Sequence, residues 1–173
     1  MKKIFINQVW ILLFLNSIIT ISLAQTNSVN SDLPEGTKAK DIDGIDTAGI
    51  SIPLYTLKSD ITILYFYDFE CRFCDSATLS LIELYHHIKN KNIEVYALPL
   101  SDDLIAWKNY ISKYHLDWIN VIERNKEEKI RDNYHLNATP TIYVIDRKKI
   151  ISSKRIVFTE DVGKVLKEKF KID

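Results

Sequence analysis

The chain has 173 residues with 23 acidic and 23 basic side chains, so its charge points neither to nucleic-acid binding nor to an acidic tail. Four Gly, four Pro, 46% hydrophobic and 27% charged residues exclude a fibrous, low-complexity or wholly disordered protein. A chain of this length buries a sizeable core as one domain, and two cysteines allow one pair but no framework of several bridges.

Lys2 and Lys3 precede an apolar run from Val9 to Leu23, and Ser22-Leu23-Ala24 supplies the small residues that signal peptidase requires before Gln25. Residues 1–24 read as a secretory signal peptide. An uncleaved anchor is the alternative, since a signal and a single span differ mainly in apolar length and flanks. Loss of Lys2 and Lys3 leaves 21 basic against 23 acidic residues, close to neutral. Lipid attachment at the mature N-terminus has no cysteine to use. The expected location is an exported, periplasmic one, free or tethered through that segment, where a cysteine pair can be a disulfide. Residues 25–35 are polar and unpatterned and read as a linker, leaving 36–173 as the domain.

Ile61 to Asp68 (ITILYFYD) is a run of β-branched and aromatic residues without a polar gap, the pattern of a strand buried on both faces and therefore central in its sheet. After Cys74, Ala77, Leu81, Leu84 and Ile88 share one helical face, and Asn90 and Asn92 end the pattern. Ile93 to Leu100 is a second buried strand. Ser101 is placed to cap a helix whose Leu104, Trp107 and Ile111 share a face. Trp118 to Glu123 predicts a short third strand or an extended piece, and Glu127 to Tyr134 a short helix. Thr141 to Asp146 is a strand entered through Pro140, followed by an antiparallel partner in KKIISSKRIV with Arg147-Lys148 in the turn. Thr159 as N-cap, with Glu160 and Asp161 after it, opens a last helix with Val162, Val165, Leu166 and Phe170 inside. Alternating strands and helices predict an α/β three-layer sandwich with helices on both faces of a mixed sheet. There is no internal repeat.

Cys71-Arg72-Phe73-Cys74 stands where the buried strand gives way to a helix. A thiol in the first helical turn faces unpaired N–H groups and the positive end of the dipole, which favour the thiolate. Cys71 is the expected attacking thiol. Cys74, one turn deeper, is close enough to resolve a mixed disulfide on Cys71. Other uses fit worse. A bridge closing so short a loop is a weak staple, worth about 2 kcal/mol. Zinc needs two more ligands, and His86, His87, His115 and His135 have no suitable spacing. A peroxidatic cysteine would need Pro and Thr or Ser before it, where Tyr65 to Glu70 offer neither.

Ala138-Thr139-Pro140-Thr141 leads into the strand Thr141 to Asp146, and a proline is tolerated at the mouth of such a strand. Together with the cysteine pair, this motif resembles the thioredoxin fold. Within it the chain is similar, from about Gly36 to its end, to the TlpA or ResA type of thiol-disulfide oxidoreductase. GTKAKDIDGIDTAGISIPLYTLKSD looks like the extra N-terminal β-hairpin of that group. The resemblance implies a cis Thr139–Pro140 bond facing the cysteines, Thr139 and Pro140 as substrate-binding residues, and exchange with protein cysteines as a reductant fed by a membrane electron donor. It implies no organic cofactor and no metal. The chain departs from the pattern at three places: Glu70 stands where Trp is usual, Tyr65 where thioredoxin has a buried Asp, and Ala77 where ResA-like proteins have an acid. No general base is assigned. Asp68 and Glu70 read as solvated loop carboxylates, Arg72 and Glu70 as opposed influences on the thiols, His86 and His87 as surface residues, and Trp107 and Trp118 as packing. A non-catalytic module of the same fold, with an inert disulfide and a docking groove beside Pro140, is the other class of function to separate.

Overall fold

Ile61–Tyr67 (β2) is buried at every position, and its side chains divide between two apolar clusters because successive residues of a strand point to opposite faces. Ile61, Ile63, Tyr65 and Tyr67 join one cluster, Leu64 and Phe66 the other. The computed structural model describes residues 32–124 and 130–172. The expected signal peptide, most of the linker and the first residues of the helix expected from Glu127 lie outside them.

β2 is central in a four-stranded sheet. Ile93–Pro99 (β3) runs parallel to it, from Ile61 opposite Ile93 to Tyr67 opposite Pro99. Thr141–Asp146 (β6) runs antiparallel on its other side, from Ile61 opposite Asp146 to Phe66 opposite Thr141. Ile119–Asn120 (β4) extends the sheet beyond β3. This topology brings the C-terminal ends of β2 and β3 and the N-terminal end of β6 to one edge.

Arg72–Ile88 (α1), Leu104–Tyr114 (α2) and Thr159–Phe170 (α4) contribute their buried residues to the cluster on one face. The opposite face is covered differently. Leu33, Ala39, Ile42 and Leu54 of the N-terminal arm, with Ile130 of the short helix Ile130–Asn133 (α3), pack there against Leu64, Phe66, Tyr96 and Leu98. Leu33, within the stretch read as linker, is therefore part of the packed core. In the arm, Gly44–Ile45 (β1) pairs antiparallel with Ile122–Glu123 (β5), and a bridge from Ile45 to Ser51 closes the N-terminal hairpin. Gly44 is required by close approach: a Cβ there would stand 2.3 Å from the Tyr96 hydroxyl and 2.7 Å from Val121 Cβ.

Four local expectations are corrected. Trp118–Glu123 is not one strand, because β4 belongs to the main sheet and β5 to the hairpin. Asp103, not Ser101, caps α2: its carboxylate accepts from the N–H of Ile105 at 3.0 Å and of Ala106 at 2.9 Å, whereas Ser101 Oγ accepts only from Asp103 N–H. Thr159 is the first helical residue of α4 rather than its cap, and its hydroxyl donates to the Ala77 carbonyl at 3.3 Å, tying α4 to α1. After the turn at Arg147-Lys148 the expected antiparallel partner strand is reduced to isolated antiparallel bridges, Ile145 with Ile151 and Ile142 with Ile156, while Ile150 bridges to Lys38.

Candidate active site

Asp68 builds the turn that delivers the cysteines. Its side chain accepts from Glu70 N–H at 3.0 Å and its carbonyl from Cys71 N–H at 3.3 Å. Cys71 then takes the N-cap position of α1 with extended φ of −86° and ψ of 105°, one step before the first helical turn in which the sequence placed it. Its sulfur occupies the place where Ser or Asp oxygens usually cap, and the Cys74 N–H points at it, 3.2 Å from Cys71 Sγ.

The other side of that sulfur faces Thr139. Cys71 Sγ donates to the Thr139 carbonyl at 3.3 Å, and the Thr139–Pro140 bond is cis. Pro140 is buried and Thr139 half-buried. The backbone turn is braced by Thr141, whose hydroxyl donates to the Ala138 carbonyl at 2.7 Å. Cys71 is partly exposed and Cys74 fully buried, and both are free thiols. Burial, reinforced by the hydrogen bond with Cys71, pushes the Cys74 thiol up to about 12, against smaller opposing contributions from the Asp68 backbone and the Thr139 side chain. The arrangement thus holds one accessible sulfur between a donor and an acceptor, above a second, buried sulfur whose neutral form is favoured.

Beside the pair lies a hollow of about 130 Å³ lined by Phe73, Ala77, Pro140, Val157 and Phe158, with Glu160 at its margin. Phe73 and Phe158, which line it, are 76% and 68% exposed. A larger hollow, about 680 Å³, opens at the end of β3 between Leu98, Leu104 and Arg131, and touches none of Cys71, Cys74, Thr139 or Pro140.

Asp68 is half-buried, and Glu70 and Arg72 are exposed. His86 and His87 are exposed in the last turn of α1, at the far end from the cysteines. Trp107 and Trp118 are core residues, the second edge-on to Tyr85 at 5.7 Å. Two residues beneath the site, Thr78 and Tyr110, went unread in the sequence, and Tyr65 was noted only as standing where thioredoxin has an acid. Tyr65 Oη donates to the Cys74 carbonyl at 3.0 Å and lies 2.8 Å from Thr78 Oγ1, which lies 2.8 Å from Tyr110 Oη. The legible signal was Thr78 itself, a polar residue one turn after Cys74 and next to Ala77 on the apolar face of α1.

A family model described as thioredoxin-like matches residues 59–151. A thiol-disulfide oxidoreductase ResA from Bacillus anthracis is 30% identical over 141 residues, covering 81% of this chain and 80% of that protein. Its namesake from Bacillus subtilis (strain 168) is 26% identical over 114 residues, 66% of this chain and 63% of the relative. Among solved structures, a domain of a possible thiol-disulfide isomerase from Cytophaga hutchinsonii superposes with a TM-score of 0.73 at 30% identity, over 84% of this chain and 97% of that one. A thiol:disulfide interchange protein from Bacteroides sp. gives 0.71 at 25% identity, over 79% and 90%.

Proposed function

The chain belongs to the thioredoxin-like family, among the thiol-disulfide oxidoreductases of the ResA type, and from that premise we propose that Cys71 and Cys74 are its exchanging thiols and that it works as an exported reductant of protein disulfides. The observation that carries this reading is the setting of Cys71 Sγ, 3.2 Å from the Cys74 N–H and 3.3 Å from the Thr139 carbonyl, with Cys74 buried beneath.

In the first step the Cys71 thiolate attacks one sulfur of a substrate disulfide. The S–S bond breaks, a mixed disulfide forms on Cys71, and the departing substrate sulfur leaves as a thiolate. In the second step Cys74 gives up its proton to that thiolate and attacks Cys71 Sγ. The second substrate thiolate departs, and the enzyme is left with a Cys71–Cys74 disulfide. Two electrons have passed from enzyme to substrate. Their return requires a dithiol donor, for which a membrane electron donor is the candidate that the ResA resemblance favours. In this reading Thr139 and Pro140 bind the substrate; it is supported by the Thr139 carbonyl standing 3.3 Å from Cys71 Sγ, beside which an extended peptide carrying the target sulfur would run.

Export rests on the Lys2-Lys3, apolar run and Ser22-Leu23-Ala24 pattern, with 1–24 as signal peptide, 25–35 as linker and the catalytic domain after it. Among the described residues no helix is long and apolar enough to cross a membrane. Reduction of a generic protein disulfide by a dithiol tests the reading. Wild-type protein should accelerate it and Cys71→Ser should not; equal rates for the two would remove the assignment.

A further inference from the structure

The polar groups that reach Cys74 from inside the core come from three elements. Tyr65 on β2 donates to the Cys74 carbonyl at 3.0 Å, and Tyr110 on α2 approaches the same oxygen at 3.5 Å. Thr78, one turn further along α1, joins the two phenols through contacts of 2.8 Å to each. Tyr65 and Thr78 are fully buried and Tyr110 is 5% exposed. Burial holds both phenols far above the ordinary tyrosine range, so they stay neutral donors at any pH the enzyme meets. Asp75, the acidic residue next to Cys74, has its Oδ2 3.8 Å from Lys113 Nζ, and its charge adds to burial in raising the Tyr110 phenol.

We propose that Tyr65, Thr78 and Tyr110 are positioning residues for the resolving half of the exchange: they pin the Cys74 carbonyl to the sheet and to α2, so that Cys74 keeps its place while Cys71 is drawn towards the substrate. The assignment rests on Cys71 and Cys74 being the exchanging pair.

The first turn of a helix is its most easily frayed part, because its N–H groups lack partners within the helix. In the dithiol the first turn is tied to Cys71 by the Cys74 N–H, which meets the Cys71 carbonyl at 2.9 Å and Cys71 Sγ at 3.2 Å, and by the Asp75 N–H, which meets the same carbonyl at 3.4 Å. The contact to sulfur is the one a mixed disulfide disturbs, since Cys71 Sγ then carries the substrate. Every one of these ties runs to Cys71 itself, so a turn held only by them would let Cys74 drift as Cys71 moves. Anchoring the carbonyl of Cys74 from below separates the two cysteines mechanically. The resolving sulfur is fixed to the core, and the attacking sulfur alone follows the substrate. Three neutral hydroxyls do this without adding a charge under the pair.

The test separates the two steps in the full chain. Alkylation of Cys71 by iodoacetamide reports the attacking thiol, and acid-quenched time courses with a protein disulfide report the lifetime of the mixed disulfide. Tyr65→Phe should leave the alkylation rate within about twofold and lengthen that lifetime about tenfold, the effect of one ordinary hydrogen bond lost. Tyr110→Phe and Thr78→Val should lengthen it in the same sense, and they read the same network should Tyr65→Phe not fold. Tyr67→Phe is the control: its ring stacks on Tyr65 at 5.1 Å, but its hydroxyl takes no part in the network, so both rates should stay at the wild-type level. Equal slowing of both steps by Tyr65→Phe, or an unchanged lifetime, would overturn the proposal. Failure of the underlying assignment looks different, since wild-type protein would then form no mixed disulfide at all.

Discussion

Cys71 Sγ and the carbonyl oxygen of Thr139 lie 3.3 Å apart, although 68 positions separate the two residues in the chain. The sheet makes this contact. β6 runs antiparallel to β2, with Phe66 opposite Thr141, so the residues just before β6 meet those just after β2. The same sulfur receives the Cys74 N–H from its own helix. Long-range topology and a local cap therefore converge on one atom, and the reactivity expected of Cys71 follows from that convergence.

The cysteines should differ sharply towards alkylating reagents. Cys71 is partly exposed, whereas Cys74 is buried and its thiol is pushed up to about 12. In reduced native protein at neutral pH, mass spectrometry should find one modified cysteine, Cys71, with Cys74 labelled only after unfolding. Because the folded state favours the neutral Cys74 thiol, its contribution to stability is complete below the ordinary thiol value of 9.0 and is lost as pH climbs towards about 12. Denaturant titrations of the reduced protein should show midpoints falling over that window.

The cap of α2 gives a second test. Asp103→Ala removes the acceptor of two N–H groups and should lower stability by about 1 kcal/mol, while Ser101→Ala should change it far less. Urea denaturation of the two variants decides between them; the reverse order would return the cap to Ser101.

How much of this was readable beforehand depends on whether a feature is local. The buried runs of β2, β3 and β6 were legible because central strands need unbroken apolar sequence, and the cysteine pair because its spacing and its junction are local. The cover of the second face was not. Leu33, Ala39, Ile42 and Leu54 follow no helical or strand period, and their burial is decided by a sheet formed much later in the chain. The division of Trp118–Glu123 between two sheets likewise depends on Gly44, whose missing side chain lets the hairpin approach Tyr96 and Val121. At the site, Tyr65 was read as the loss of an acid. Its partners Thr78 and Tyr110 stand 13 and 45 positions away, and only the folded chain joins them.

That dependence on Gly44 is itself measurable. Gly44→Ala sets a methyl 2.3 Å from Tyr96 Oη, forcing the hairpin or the tyrosine to shift. Tyr96 Oη donates to the Ile52 carbonyl at 2.8 Å, so the tyrosine cannot move without losing that bond. The expected cost is about 1–3 kcal/mol, read by denaturant unfolding, with exchange activity kept below the lowered midpoint because Gly44 meets Tyr96 and Val121 and neither cysteine. An unchanged midpoint would mean that the arm packs more loosely than described.

Phe158 separates binding from folding. At 68% exposure and with no side-chain capping bond to lose, Phe158→Ala should alter stability by no more than about 0.5 kcal/mol. It should raise KM for a protein disulfide while sparing turnover of a small-molecule disulfide too short to reach the hollow beside Pro140. Equal effects on both substrates would take that hollow out of the substrate path.

The central claim, that Cys71 attacks and Cys74 resolves, is tested most directly by trapping. Cys74→Ser protein, incubated with a disulfide-bonded protein and quenched in acid, should accumulate a mixed disulfide whose peptide map places the new bond at Cys71, and Cys71→Ser should accumulate none. A mixed disulfide absent from Cys74→Ser, or formed equally well by Cys71→Ser through Cys74, would contradict the account.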